Sequence, residues 1–300
     1  MSKTKAWLNA ARLRTLPLSF SGIIAGSAMA LDAGAFDLVI FVLALLTTLG
    51  FQVLSNFAND YGDGIKGTDN EERIGPKRAL QSGLLTEKEL KKGIAITVIL
   101  TLILSIVLIY KAFGPDNLSY LILFFLLGIA SIVAAIKYTV GVTAYGYRGL
   151  GDLFVFVFFG LLSVVGSFFL YTQNLSVFVF LPAITIGMLS TAVLNLNNMR
   201  DRVSDAKSGK KTLVVILGPE KSKKYHFALL ICAYFAAFIF FYLSRGSYVR
   251  FLPLMAFIPI LVHAKTVMFN RNPETLDPEL KKIALSTFLF SVLFFITAVL

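Results

Sequence analysis

The amino-acid sequence predicts an all-α, multi-span membrane protein: nine transmembrane helices around a central cavity, arranged as two four-helix halves plus a ninth helix. Three observations lead there. The 300 residues are 57% hydrophobic and only 15% charged, and a soluble fold has too much surface for its volume to hide so much apolar side chain. The apolar residues gather into nine stretches, each close to the roughly 20 residues that a bilayer-crossing helix needs. A polar pattern at the end of the second stretch recurs at the end of the sixth.

The elements follow in order. Met1 to Arg14 is short, basic and amphipathic. Thr15 to Leu31 is apolar and carries no small-residue cleavage signature, which predicts a retained first span rather than a signal peptide. The nine spans lie at 15–31, 38–58, 93–112, 118–138, 152–171, 177–197, 226–244, 250–269 and 282–300. The short break between 171 and 177 predicts that spans five and six form a tight hairpin. Residues 1–300 read as one integral-membrane domain, embedded in membrane lipid.

Charge sets the expected orientation. Of the 28 Lys and Arg residues, only Lys111, Arg245 and Arg250 lie on the side opposite the N-terminus. Basic loops stay cytoplasmic, so the N-terminus and the two long polar loops are expected in the cytoplasm of a bacterial cell and the C-terminus outside its inner membrane. The net charge of +11 is thereby topological, and no nucleic-acid partner is implied. The lone Cys232 reads as a small buried apolar residue, which excludes disulfides and cysteine-based metal sites.

The chemistry sits in two constellations. Asn56, Asn59, Asp60, Asp63 and Lys66 close span two; Asn197, Asn198, Asp201, Asp205, Lys210 and Lys211 close span six. Residues three and four apart share a helix face, so Asn56, Asp60 and Asp63 align, as do Asn197, Asp201 and Asp205. Each cluster is trailed by a basic residue, a Leu and a Gly: Arg78-Ala79-Leu80 with Gly83, and Lys211-Thr212-Leu213 with Gly218. Internal repeats of this kind place ligand sites at the interface between the halves. Carboxylates at the bilayer edge are costly and usually functional. Two facing acidic clusters require cations, and oxygen-only ligands suit Mg²⁺, which takes one or two carboxylates and completes its shell with substrate phosphates. Asp60, Asp63, Asp201 and Asp205 are the expected metal ligands and catalytic groups. Arg78, Lys210 and Lys211 are placed to hold the rest of a diphosphate. A solvated-loop role remains the expectation for Asp69, Glu71 and Glu72.

Other motifs fail on inspection. Thr68 stands where a P-loop needs Lys, and Ser204 where it needs its first Gly. His226 and His263 are isolated in sequence and read as interfacial or packing residues. A cation-coupled transporter is the competing class, but the acids gather at one face instead of spreading through the bilayer.

With these residues in view, the chain resembles the UbiA superfamily of intramembrane aromatic prenyltransferases, and within it the branch acting on 1,4-dihydroxy-2-naphthoate. The matching stretches are Ala11 to Pro17, Asn59 to Asp63, Gly67 to Asn70, Gly75 to Ala79, Tyr145 to Asp152, and Asn197 to Asp201. One departure stands out: the superfamily spaces its first Asp pair four apart, whereas here Gly64 holds that place and Asp63 stands three from Asp60. The resemblance implies Mg²⁺-assisted ionisation of an allylic polyprenyl diphosphate and attack by the naphthoate ring with loss of CO₂, the menaquinone-forming step. Prenylation of 4-hydroxybenzoate, for ubiquinone, is the runner-up. Tyr61, Tyr138, Tyr145 and Tyr147 are expected to shield the prenyl cation, with Gly146, Gly149 and Gly151 leaving room for a bicyclic acceptor. Asn59, Lys66, Arg148 and Asn198 complete the expected substrate-binding set.

Overall fold

The computed structural model describes residues 2–68, 74–75, 77–244 and 247–300. Asp69, Asn70, Glu71, Glu72, Pro76 and Arg245, used in the sequence reading, lie outside the described residues. All regular structure among the described residues is helical. A short amphipathic helix, α1 (Lys3–Ala11), precedes nine apolar ones: α2 (Leu16–Asp32), α3 (Leu38–Ile65), α4 (Glu87–Phe113), α5 (Leu118–Lys137), α6 (Gly151–Thr172), α7 (Val177–Lys207), α8 (Leu213–Leu243), α9 (Tyr248–Phe269) and α10 (Pro273–Val299). Eight of these, α3 to α10, are long and apolar enough to cross a membrane. Helix α2, with 17 residues and about 25 Å at the α-helical rise, is the ninth apolar helix but falls short of the length that the other eight reach.

The boundaries differ from the hydropathy reading in an informative way. Helices α3 and α7 continue past their apolar stretches, to Ile65 and Lys207, so all four candidate carboxylates ride on helix and not on loop. Helix α8 starts at Leu213 and breaks at Gly218, whose positive φ precedes Pro219. Proline has no N–H to give and clashes with the preceding turn, which separates the apolar Leu213–Leu217 turn from the polar Glu220–Lys224 turns that lead into the apolar body. Helix α4 opens on a capping box, Thr86 and Glu89 each bonding the other's backbone N–H.

Two compact units are present. The first comprises Met1–Leu16, Val42–Gly151 and Asp201–Ile216; the second comprises Pro17–Phe41, Asp152–Arg200 and Leu217–Leu300. Both draw on early and late parts of the chain, so the sequence repeat shows in matched helix ends and not in sequential packing blocks.

In the first unit, α1 lays its Ala6, Ala10 and Ala11 face into a core with Phe57, Leu85 and Leu90. Trp7 sits edge-on to Phe57, with ring centroids 5.2 Å apart. Gly93 makes room for it, since a Cβ there would meet the indole at 2.6 Å. The second unit is centred on Phe240, Phe241, Phe257, Phe290 and Phe294, packed edge to face. Its helices approach closely through small residues. Gly22 and Gly26 of α2 face Ser163 and Ser167 of α6, and Gly160 of α6 faces Gly187 of α7. Around Gly160 the backbone widens into a π-helix over Phe156–Val165.

Two expectations about single residues change. His226 and His263 are not isolated: both are fully buried, and their Nε2 atoms are hydrogen-bonded at 2.9 Å. His226 Nδ1 pairs with Asn195 Oδ1 at 3.1 Å and His263 Nδ1 with Glu279 Oε2 at 2.6 Å, while Lys282 donates to Glu279. The partners come from α7 and α10, distant in sequence, which is why isolation in sequence misled. Cys232 is exposed on the outer face of α8 rather than buried, a position that hydrocarbon tolerates as well as a core does.

Candidate active site

The first unit gathers Asp60, Asp63, Asp201 and Asp205, and all four are buried. Asp60 is wholly enclosed; its Oδ2 accepts the Ala79 N–H at 3.2 Å, and its Oδ1 has no hydrogen-bond partner. Asp63 accepts the Tyr147 hydroxyl at 2.7 Å.

Both acidic helices end the same way. Gly67 and Gly209 take positive φ, the left-handed conformation that closes a helix and favours glycine. The next residue then bonds back to an aspartate carbonyl: Thr68 N–H to Asp63 at 3.0 Å, Lys210 N–H to Asp205 at 2.9 Å. These capping residues converge on one side chain. Thr68 and Tyr147 share a hydroxyl–hydroxyl bond of 2.5 Å, while the Lys210 ammonium lies 5.5 Å from the Tyr147 ring centroid. Lys66 covers the same ring at 3.9 Å, a cation–π contact.

Charge is balanced internally. Lys210 Nζ stands 3.7 Å from Asp205 Oδ1. Burial works against its charge, but Asp63 and Asp205 outweigh burial and hold the ammonium protonated above the ordinary lysine range. Burial also drives the Tyr147 phenol upward, and the Asp63 carboxylate adds to this, so Tyr147 stays a neutral donor.

The remaining predicted residues divide by use. Asn56 is committed to architecture: its amide donates to Ala11 O at 2.8 Å and to Thr15 Oγ1 at 3.4 Å, tying α3 to the N-terminal segment. Asn59 accepts from Thr139 at 3.3 Å. Arg78 lies within electrostatic reach of Asp63. Tyr138 and Tyr145 meet edge to face at 5.3 Å, and the Tyr145 hydroxyl donates to Ala134 O at 2.9 Å. Arg148 and Lys211 are exposed, the latter donating its backbone N–H to Tyr147 O at 3.2 Å. Asn197 and Asn198 belong to the second unit, one turn before Asp201 on α7; Asn197 accepts from Arg200 at 2.8 Å, and Arg200 also pairs with Asp277.

Gly146 and Gly149 do not leave an acceptor slot. A Cβ at Gly146 would meet Tyr138 O at 2.7 Å, and one at Gly149 would meet Ile216 at 3.1 Å, so these positions serve close packing. Two residues escaped the sequence reading. Arg12, with a left-handed backbone, acts on Asp63 electrostatically, and Thr68 completes the Tyr147 contacts. Both lay inside family-like stretches, Arg12 in Ala11 to Pro17 and Thr68 in Gly67 to Asn70, but neither was assigned a role there.

The donor set suits Mg²⁺. It is oxygen only, and Asp60 offers a buried carboxylate oxygen without a partner. Among the described residues no three acidic, His or Cys side chains already form a closed cage.

The family profile described as "UbiA prenyltransferase family" matches residues 19–296. The chain is 46% identical over 294 residues to the 1,4-dihydroxy-2-naphthoate octaprenyltransferase of Haemophilus influenzae, covering 97% of this chain and 95% of that protein. It is 44% identical to the Escherichia coli protein of the same name, covering 98% and 95%. Among solved structures, a UbiA homolog from Aeropyrum pernix superposes with a TM-score of 0.74 at 14% identity, covering 94% of this chain and 98% of the other. One from Archaeoglobus fulgidus bound to GPP and Mg²⁺ gives 0.64 at 15%, covering 97% and 100%. A helical bundle with two acidic helix ends, matched by that profile along nearly its whole length, belongs to the UbiA prenyltransferase family.

Proposed function

We propose that this protein transfers a polyprenyl chain from an allylic polyprenyl diphosphate to 1,4-dihydroxy-2-naphthoate, with loss of CO₂, giving demethylmenaquinol for menaquinone. The observation that carries this reading is the 46% identity, over nearly all of both chains, to a protein named for that acceptor. Asp60, Asp63, Asp201 and Asp205 hold Mg²⁺, which supplies the positive charge that stabilises a departing diphosphate. Lys210, Arg78 and Lys66 add fixed positive charge for the remaining phosphate oxygens. Tyr147, held neutral, keeps Asp63 oriented by its hydroxyl. The basic loops face the cytoplasm, so the polar substrates arrive from that side.

The test uses acceptor labelled in its carboxyl group, supplied with a polyprenyl diphosphate and Mg²⁺ to membranes containing the protein. The expected result is prenylated product without label, with the label recovered as CO₂, and 4-hydroxybenzoate essentially untouched. Label retained in the product defeats the decarboxylating assignment, and faster turnover of 4-hydroxybenzoate moves the protein to ubiquinone synthesis.

A further inference from the structure

Asp63 and Asp205 are 6% and 4% exposed, and buried carboxylates need compensating charge. Lys66, Arg78 and Arg12 also reach Asp63 or its tyrosine, but Lys210 faces both acids: it stands 3.7 Å from Asp205 Oδ1 and 5.5 Å from the ring of the tyrosine whose hydroxyl binds Asp63. Its root is fixed, because its backbone N–H closes the α7 cap on Asp205 O. Its head is not. A separation of 3.7 Å is an ion pair and not a short hydrogen bond, and a lysine ammonium is a compact charge on a flexible stem that changes partners easily.

We infer that Lys210 is a tethered counter-cation, which neutralises the acidic site until metal and diphosphate arrive together and then turns to the diphosphate. The inference rests on the proposed reading that these acids take a metal–diphosphate. It adds an order of binding: free Mg²⁺ competes with a resident ammonium and binds poorly, whereas Mg²⁺ with diphosphate gives that ammonium a new anionic partner. The reaction then starts from a site that has not trapped metal without substrate.

The experiment uses the full chain in detergent, stripped of metal, with no prenyl diphosphate and no aromatic acceptor. Mg²⁺ is titrated by calorimetry and by thermal melting, with and without inorganic diphosphate, for wild type, Lys210→Met and Lys210→Arg. Without metal the Met variant is expected to melt below wild type. It should bind Mg²⁺ about tenfold more tightly, the scale of removing one nearby like charge from a partly screened site, and gain less from added diphosphate. Lys210→Arg should follow wild type. Equal Mg²⁺ affinity in wild type and the Met variant overturns the inference, as does an Arg variant that behaves like Met. If Lys210→Met does not fold without metal, recovery on purification in Mg²⁺ supports the inference and failure to recover overturns it. Because no acceptor is present, a wrong acceptor assignment leaves these results standing. Absence of Mg²⁺ binding in every sample, diphosphate included, removes the metal reading itself.

Discussion

Asp60 shows what a single side chain contributes when it has no freedom left. Its Oδ2 is held by the Ala79 N–H and its Oδ1 has no partner, so Asp60→Asn replaces a metal-competent oxygen pair with an amide. Asp60→Asn, Asp201→Asn and Asp205→Asn are each expected to abolish nearly all turnover while leaving membrane insertion intact, a loss of ~3 kcal/mol or more in transition-state stabilisation. Near-normal rates at saturating Mg²⁺ would remove that residue from the site. Tyr147→Phe deletes the donor to Asp63 and the Thr68 contact but keeps the ring under Lys66; turnover should fall about tenfold, the range for removing a buried hydrogen bond to a charged group. At this scale the sequence was most informative about acids, whose burial near a bilayer needs a function. It was poor on Asn56 and Gly146, because polar and small residues serve packing and chemistry equally well and only their partners distinguish the two.

Helices carry the next level. Nearly every span was legible, since roughly 20 apolar residues have few alternatives, but the ends of α3 and α7 were not. Hydropathy falls at Asn56 and Asn197, whereas helix geometry persists until a glycine permits the left-handed turn, at Gly67 and Gly209. Close helix crossings were equally hidden, because they depend on which small residues face each other. Gly160 and Gly187 make the sharpest test: a Cβ at Gly160 would meet the Gly187 Cα at 2.6 Å and Ala183 O at 2.7 Å. Backbone cannot yield as a flexible side chain does, so Gly160→Ala should cost about 1–3 kcal/mol. This is read as a lowered melting temperature in detergent, with no compensating change at Gly128→Ala, where a Cβ meets nothing.

For the molecule as a whole, the distribution of basic residues predicts which face meets the cytoplasm. In a Cys232→Ala background, single cysteines replacing Arg148 and Lys207 should react with an impermeant thiol reagent only from the cytoplasmic side, and one replacing Asn174 only from outside. Labelling of position 174 from the cytoplasm would invert the proposed orientation. The repeat in the sequence proved accurate where it concerned helix ends and uninformative about packing, since both compact units take segments from early and late in the chain.

The buried ladder Asn195–His226–His263–Glu279 has a consequence for biogenesis. Spans enter the bilayer in the order of their synthesis, so α8 reaches lipid carrying His226 before α9 supplies His263, and His263 in turn waits for Glu279 on α10. Each waiting nitrogen is a polar group whose buried partner is missing, at about 1–3 kcal/mol. Only the arrival of α10 completes the ladder, which makes that helix the checkpoint of assembly. A nascent chain cut short before Asp277 should be cleared by membrane proteases within a pulse-chase, while the full chain persists.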